Sequence, residues 1–563
     1  MRRLLRGALI VVTGCGSNGD GNGESSDDSG SSDASATSAA SASTTSLSTS
    51  TETGTSSPVT SDASTSGADS SSGGGSSADS GSTTDGGELP DGLAASWITY
   101  LGGSQFEHAR DLAHDGAGRV LVTGGGASTD LATTAGVLQP NRDPGPPAPG
   151  VDPFDAFVFA YDEAGGIAWG TYLGGPQYDR AYAVEVDATG VYVAGRAGAG
   201  FPVTAGAAQT SFAGGQEAPF YGEQDGFVCK LSLDATAIVW CTYFGTSDPS
   251  IVRDIAVDST GAVYLASGRS TGSYPTAIAD AFVNAPLGGN DAVLAKLSSD
   301  GSTVLWARYL GGSADDSNQN SVRVDANDNP YILLTTTSGD AQTSPGAHDS
   351  SYGGNGDLYV VAAAPSDGGL RWATYLGASG NESTETHEFA VDAAGNCYVA
   401  AATSSMDFPT TVGAFDTSFG GGNNDAFAAK ISADGTTLLG STFIGGNGSD
   451  RPEGVAVGAD GSVYFTGTTT STDFPVTADA YQGALVVRDA VVVRVAPEFD
   501  SLLYASFLGG GMEEYGRGAT VDDEGRLWIG GETHSSDLPL LDAAQTQAGG
   551  NTDAWVAAFV PAP

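Results

Sequence analysis

The sequence predicts an all-β fold, a seven-bladed β-propeller whose ring is closed by strands from both ends of the domain. A motif of the form Thr-Tyr-Leu-Gly-Gly recurs seven times at intervals of about 64 to 72 residues, and a fixed period of this kind is the signature of a repeat architecture. The copies lie at 99–103, 171–175, 242–246, 308–312, 374–378, 442–446 and 506–510. The order of segments within a repeat and the fit of the two chain ends support the same fold.

Each repeat contains four strand-like segments in the same order, and the second repeat shows them well. Segments 180–187 and 191–195 are rich in Val and Tyr and flank a tight turn that contains Gly190, which predicts a β-hairpin. Segments 225–231 and 238–245 follow after a long connection and a second turn. Four antiparallel strands in each of seven units is the arrangement of a seven-bladed propeller.

The ends of the repeat region indicate how the ring closes. The region begins at 97–103 with a fourth-strand segment and ends at 553–559 with a third-strand segment that has no fourth strand after it. Pairing these two segments completes the last blade and hides sheet edges that would otherwise promote aggregation. We therefore expect residues 93–563 to form one closed propeller.

Charge composition bears on the class of partner. Lys and Arg together number 21 and Asp and Glu 67, which gives a formal net charge of −46 over 563 residues. Such a charge repels phosphate backbones and argues against nucleic-acid binding. Cations, basic proteins or neutral glycans are the better expectations, although a solvated acidic surface without a partner is the more common cause of this composition.

The amino terminus has the pattern of an export signal. Residues 1–14 combine three arginines with the apolar run 7–12, which is too short to span a bilayer. Residues 12–15 resemble the bacterial lipoprotein box, which implies lipidation of Cys15 and a membrane partner through the lipid. Gly16 after that cysteine implies delivery to the outer membrane or cell surface, with the periplasm as the alternative. A plain signal peptide followed by an incidental cysteine remains open.

A low-complexity segment separates this signal from the repeats. Residues 15–92 are dominated by Ser, Thr, Gly, Ala and Asp and carry almost no apolar side chains. Such a composition cannot bury enough apolar surface to offset the entropy of ordering the chain. We expect a disordered tether that holds the propeller away from a membrane.

Several repeat motifs together resemble a known family. They are the Val-Asp turn at 186–193 and 391–399, Asp-Phe-Pro-Thr-Thr at 407–411 and Asp-Ala-Phe-x-Ala-Lys at 425–430. With the recurring Thr-Tyr-Leu-Gly-Gly they are similar to the SBBP beta-propeller repeat of bacterial surface proteins over about residues 96–560. The resemblance implies the fold and a surface location, and it implies little about activity.

One acidic series recurs just after the Gly-Gly turn of every repeat. Its members are Glu107, Asp179, Asp248, Asp316, Glu382, Asp450 and Glu514. One interpretation is a ring of carboxylates around one mouth of the channel that binds cations or a basic ligand. The other is structural, with side chains that cap turns and strand starts. Sevenfold repetition favours the structural interpretation, because an active site needs different groups at different points.

The features that do not repeat are better candidates for binding. Repeats one and two carry longer connections between their second and third strands, with extra residues at 140–150 and 214–222. Loops on a rigid scaffold are where binding sites concentrate. We name Phe220 and Tyr221 as the first candidate contacts for a glycan or peptide, while loop growth without a ligand remains the alternative.

Catalytic and metal-binding signals are weak in the sequence. The five histidines show no paired ligand spacing, and no nucleophile elbow or phosphate loop occurs, so we predict no cofactor, no metal and no catalytic residue. Cys229 and Cys241 flank one hairpin, and export permits a disulfide between them. We expect a non-enzymatic cell-surface scaffold for adhesion or recognition of protein or glycan. The alternatives are a polysaccharide-acting enzyme and a purely structural envelope component.

Overall fold

A computed structural model describes residues 91–143, 145, 148–216, 220–269 and 272–562. The predicted signal peptide, Cys15 and nearly all of the predicted tether lie outside these residues. The described chain forms seven antiparallel sheets, each built from four main strands, and the predicted seven-bladed propeller is confirmed.

The first four blades follow the repeats in chain order. Blade I contains Glu107–His114, Val120–Gly126, Asp155–Tyr161 and Ile167–Leu173. Blade II contains Arg180–Asp187, Gly190–Ala197, Glu223–Leu231 and Ile238–Phe244, with the short strand Gly215–Gln216 at its edge. Blade III contains Ile251–Val257, Val263–Arg269, Asp291–Leu297 and Val304–Leu310, with the helix Thr276–Ala279 between its second and third strands. Blade IV contains Asp316–Val324, Pro330–Thr336, Asp357–Ala363 and Leu370–Leu376.

The last three blades depart from this regularity in two places. Blade V has an interrupted first strand and contains Glu382–Ser383, Phe389–Val391, Cys397–Thr403, Asp425–Ile431 and Leu438–Ile444. Blade VI contains Asp450–Val457, Val463–Thr469, Asp489–Val495 and Leu502–Leu508. Blade VII contains Glu514–Val521, Leu527–Thr533, Asp553–Pro561 and, from the other end of the chain, Leu93–Leu101. The last pairing closes the ring as predicted, with Leu93 opposite Pro561 and Leu101 opposite Ala554.

The first strands of successive blades contact one another around a closed ring, so they line the central channel. Apolar side chains fill the joints between neighbouring blades. Between blades I and II, for example, Val184, Val191, Val193 and Phe227 are at most 1% exposed, as the strand alternation predicts. Each such side chain contributes about 1.5 to 3 kcal/mol of transfer free energy.

In four of the joints, a tryptophan on the outermost strand of one blade packs against a turn of the next blade. Its ring covers a positive-φ glycine in the turn between the third and fourth strands of the next blade, and its Nε1–H donates to a carbonyl of that turn over 2.8 to 3.2 Å. The pairs are Trp97 with Gly165, Trp240 with Gly301, Trp306 with Gly368, and Trp372 with Gly435. A Cβ at any of these glycines would lie 2.4 to 2.7 Å from the indole ring, so the turn requires glycine for space as well as for φ.

The joint between blades V and VI uses the opposite arrangement. Gly440 occupies the strand position of the tryptophan, and Phe499 occupies the turn position of the glycine, with φ 63°. A Cβ at Gly440 would lie 2.4 Å from the Phe499 ring. The large and small residues have exchanged sides, so the joint keeps its volume although both residues differ from the repeat pattern.

Blade II contains one covalent cross-link. Cys229 and Cys241 face each other in register on the third and fourth strands, and a disulfide joins them. Both are fully buried. Cys397 is a buried free thiol on the second strand of blade V.

Candidate functional site at the channel mouth

The candidate site lies at the end of the channel where the first strands begin, the end that also carries the long loops of blades I and II. In five blades the pairing of the first strand with the second shifts register once near this end. Such bulges re-aim a side chain and are common beside functional sites. The residues at the shifts are Arg110, Tyr182, Arg253, Glu453 and Arg517. Because these positions differ in chemistry, the channel mouth is not sevenfold symmetric.

Arginines from three blades surround one tyrosine. The guanidinium carbons of Arg110, Arg180, Arg196 and Arg253 lie 5.9, 5.0, 5.7 and 4.7 Å from the centroid of the Tyr182 ring. These are cation–π distances. We call these five residues the arginine cluster.

Arg110 and Arg253 are the half-buried members of the arginine cluster. Within the described residues, neither side chain forms an ion pair or donates a hydrogen bond, and each has a buried Nε without a partner. Because both side chains are half-buried and form no ion pair, their remaining guanidinium donors are available to a group from outside the chain. Guanidinium groups bind carboxylate, sulfate and phosphate well because their donors match two oxygens at once.

The opposite side of the mouth is internally neutralised. Arg451 pairs with Glu385 over 2.7 Å, and Arg517 bridges Glu453 over 2.5 Å and Glu532 over 2.7 Å. These arginines already have carboxylate partners. Positive charge without a partner acid within ion-pair distance is therefore found at Arg110 and Arg253, beside blades I to III.

A buried histidine, His108, lies near the arginines of the channel mouth. The pKa of His108 lies well below its usual value, first because the side chain is buried and then because Arg110, Arg517 and Arg196 repel its protonated form. The Nδ1 of His108 also lies 3.6 Å from a carboxylate oxygen of Glu532, so guanidinium and carboxylate groups both lie near this histidine.

Aromatic side chains extend the arginine cluster toward the long loop of blade II. The Arg196 guanidinium lies 3.7 Å from the centroid of Tyr221, whose ring is 4.9 Å from that of Tyr178 and 4.2 Å from that of Phe220. Tyr178 stacks on Phe154 at 4.7 Å. Both loop residues named from the sequence, Phe220 and Tyr221, are half-buried and lie beside the arginine cluster.

Deeper in the channel, residues 384–388 interrupt the first strand of blade V and bring His387 to the far side of the ring. Its Nε2 lies 2.8 Å from the carbonyl oxygen of Tyr182 in blade II, and its Nδ1 lies 3.6 Å from Asp111 and 3.5 Å from Asp254. Burial lowers the pKa of His387, but the two carboxylates outweigh burial and raise it. Asp254 also pairs with Arg323 over 2.5 Å. The centre of the ring therefore favours positive charge at the His387 Nδ1.

The recurring acidic series does not form a solvent-facing ring. The hypothesis that these carboxylates surround the channel mouth and bind cations or a basic ligand is therefore wrong. Six members are at most 2% exposed, and each accepts a hydrogen bond of 2.6 to 2.9 Å from the backbone N–H four residues earlier. They are Glu107, Asp179, Asp316, Glu382, Asp450 and Glu514. Each carboxylate closes the turn between adjacent blades, which is why it recurs.

Blade III differs from the predicted series. Its turn is closed by Ser250, whose Oγ accepts from the backbone N–H of Thr246 over 3.0 Å. Asp248 is half-buried and its backbone N–H donates to the Thr246 hydroxyl over 3.1 Å. Ser250 holds the position equivalent to the other six members of the series. The sequence analysis assigned Asp248 instead because the side chain of Ser250 is not acidic.

The buried carboxyl groups predict that the propeller loses stability as pH rises from 5 to 8. Burial raises the pKa of Asp155 and Asp225 to about 7, and of Asp316 and Asp425 to about 6, whereas an aspartate in an unfolded chain titrates near 3.9. The folded state thus holds protons that the unfolded state has released, and this contribution is lost as pH rises through 6 and 7. We expect urea unfolding to give a free energy at least about 2 kcal/mol lower at pH 8 than at pH 5.

The double variant Asp155→Asn/Asp225→Asn is the matched control for this pH dependence. Because neither amide titrates, the drop between pH 5 and pH 8 should become smaller. A wild-type free energy of unfolding that is constant or rises over this range would contradict the assignment.

Comparison with known proteins gives one short family match and distant matches to solved structures. The family described as "Strictosidine synthase-like, N-terminal" matches residues 433–468, which include the fourth strand of blade V, the first strand of blade VI and all but the last residue of its second strand. No curated protein matches the sequence. A protein of unknown function from Dyadobacter fermentans is 11% identical with a TM-score of 0.39, and the match covers 84% of this chain and 99% of that one.

Two enzymes are similar at the same level. A quinohemoprotein alcohol dehydrogenase from Comamonas testosteroni is 11% identical with a TM-score of 0.38, and the match covers 83% of this chain and 76% of the enzyme. A polysaccharide lyase, the PL25 ulvan lyase, is 11% identical with a TM-score of 0.40, and the match covers 80% of this chain and 97% of that one. At these values the likenesses carry no argument about activity. Among the described residues, no helix has the length and apolar character needed to cross a bilayer.

Proposed function

We propose that this chain is a non-enzymatic recognition scaffold of the bacterial cell surface that binds an acidic glycan at its channel mouth. The observation that carries the proposal is the pair Arg110 and Arg253, two half-buried arginines without an acid partner in a chain of net charge −46. In so acidic a chain, a fold that needed only structural arginines would have carboxylates at hand to pair with them. A uronate or sulfate group from a ligand supplies the missing charge.

The proposal departs from the expectation of cationic or neutral partners that net charge alone supports. At physiological ionic strength, charges are screened over about 8 Å. An anion bound beside Tyr182 therefore interacts with the arginines that meet there, and distant surface acids contribute little.

Aromatic residues beside the arginines favour a glycan over an acidic peptide. Tyr221 and Phe220 are half-buried and form one cluster with Tyr178, next to Arg196. An aromatic face next to charged donors suits a sugar ring that has an apolar face and carries a carboxylate on its edge.

Surface display is part of the same proposal. A lipid on Cys15 and a tether over residues 15–92 would hold the loop-bearing face in reach of extracellular polysaccharide. Membership of the SBBP repeat family would agree with this location. Outer-membrane delivery is the proposed location and the periplasm is the alternative.

Calorimetry with a galacturonate hexasaccharide tests the proposal. We expect binding that weakens at least about tenfold in Arg110→Gln/Arg253→Gln, because each charged hydrogen bond is worth about 1.5 to 3 kcal/mol. Arg371→Gln, on the exposed part of the outermost strand of blade IV, should bind like the wild type. Maltohexaose, which has no carboxylate, should not bind.

Two outcomes would contradict the proposal. One is equal affinity of the double variant and the wild type for the hexagalacturonate. The other is cleavage of the hexasaccharide during incubation, detected by mass spectrometry, which would favour the polysaccharide-acting enzyme instead.

A further inference from the structure

We propose that Asp111, Asp254 and His387 form a divalent metal site of the zinc type at the centre of the ring. The three side chains come from blades I, III and V, and one ligand atom of each lies within 4.8 Å of the others. Asp254 is 1%, His387 2% and Asp111 7% exposed. The metal inference does not rest on the proposed function, although Asp111 and Asp254 directly follow Arg110 and Arg253 in the chain.

The hydrogen bond at Nε2 of His387 fixes the role of the other ring nitrogen. Only an N–H can serve the Tyr182 carbonyl oxygen 2.8 Å away, so in the neutral imidazole Nδ1 carries a lone pair. That lone pair is buried, has no hydrogen-bond partner and faces two carboxylates. Metal-binding histidines typically donate their second N–H to a backbone carbonyl in this way.

The Nδ1 lone pair and the two carboxylates face one another, and Arg323 pairs with Asp254 through the other carboxylate oxygen, so a cation between the three groups would be bound favourably. A proton on Nδ1 is the simplest candidate, but Asp254 and Asp111 lie 3.5 and 3.6 Å away, beyond the usual N–H···O distance of about 2.7 to 3.2 Å. Ligands about 2.0 to 2.2 Å from a tetrahedral zinc ion are separated from one another by about 3.3 to 3.6 Å. The two separations from Nδ1 therefore fit ligands arranged around an ion better than a direct hydrogen bond, and the two carboxylate ligand atoms lie within 4.8 Å of each other.

The two carboxylates are held in place by the backbone. Asp111 accepts from the N–H groups of Leu112 and Val184, each over 2.8 Å. Asp254 accepts from those of Ile255 and Val322, each over 2.9 Å, and its pairing with Arg323 uses Oδ2, which leaves Oδ1 toward His387. Such secondary hydrogen bonds orient metal ligands and tune their affinity.

Ligand chemistry selects the class of ion. One imidazole and two carboxylates suit Zn²⁺, with Mn²⁺ as a weaker competitor, since N and O donors without thiolate follow the general order of divalent affinities. The sequence does not reveal this site because its ligands lie in three different repeats.

Titration of the EDTA-dialysed full-length chain with Zn²⁺ tests the inference. We expect one ion per chain, a rise in Tm on its addition, and at least about 100-fold weaker binding in His387→Ala and in Asp254→Asn, since even secondary partners of a metal site change affinity by about 10 to 100-fold. His348→Ala, a change at a half-buried histidine on a blade IV loop, should bind Zn²⁺ like the wild type.

A spectroscopic readout keeps the inference testable if the variants fail to fold. Wild-type protein loaded with Co²⁺ should show the visible d–d bands of a low-coordinate site with N and O ligands, and Zn²⁺ should abolish them. The inference is overturned if the wild type binds no ion in this assay, or if folded His387→Ala binds Zn²⁺ as tightly as the wild type.

Discussion

Deleting residues 1–101 is expected to abolish cooperative folding of the propeller. The deletion removes the strand Leu93–Leu101, which completes blade VII by pairing with Asp553–Pro561. Trp97, Ile98 and Tyr100 of this strand are at most 1% exposed, and burial of each contributes about 1.5 to 3 kcal/mol. Their sum approaches the whole stability of a typical domain, about 5 to 15 kcal/mol, and the loss also exposes an unpaired sheet edge.

Deletion of residues 1–90 is the matched control, because it keeps the closing strand. We expect this shorter deletion to unfold at the Tm of the full chain, and the longer one to show no cooperative transition by circular dichroism and to aggregate. A cooperative transition of the longer deletion near the Tm of the full chain would contradict closure by Leu93–Leu101.

The exchanged joint between blades V and VI predicts strong coupling between Gly440 and Phe499. Gly440→Trp alone places a large side chain against the Phe499 ring, and overpacking of this kind costs about 1 to 3 kcal/mol. Phe499→Gly alone leaves a cavity, at a cost of about 3 to 5 kcal/mol. The double variant recreates the Trp-over-Gly lock of four other joints, and glycine adopts the positive φ of position 499 without strain.

Urea unfolding of the two single variants and the double variant measures this coupling. We expect the double variant to recover at least about 2 kcal/mol relative to the sum of the single effects, which lies within the range found for contacting residues. Additive effects would show that the two positions do not share one packing site.

Much of the fold could be predicted from the sequence because the fold depends on local patterns that repeat. Thr-Tyr-Leu-Gly-Gly fixes the period, and the incomplete segments at 97–103 and 553–559 predict the closing pair that the structure confirms. The exchange at Gly440 was not predicted, because one missing tryptophan has no visible compensation until Phe499 is seen beside it in space.

The candidate site was harder to predict from the sequence because its residues do not follow a repeated local pattern. Arg110 and Arg253 are 143 positions apart in the numbering and meet only through Tyr182. A signal was present, however, since the bulge position of the first strand changes its chemistry from repeat to repeat and is arginine, tyrosine or glutamate in different blades. The acidic series drew attention instead because it repeats, and the structure shows that repetition reflects turn closure.

The position of a bound galacturonate hexasaccharide in a crystal structure tests the central claim most directly. Recognition at the arginine cluster predicts a uronate carboxylate bonded to Arg110 or Arg253, with a sugar ring against Tyr221. Density for the hexasaccharide at the opposite end of the channel or on the outer blade edges, with both guanidinium groups unoccupied, would contradict it.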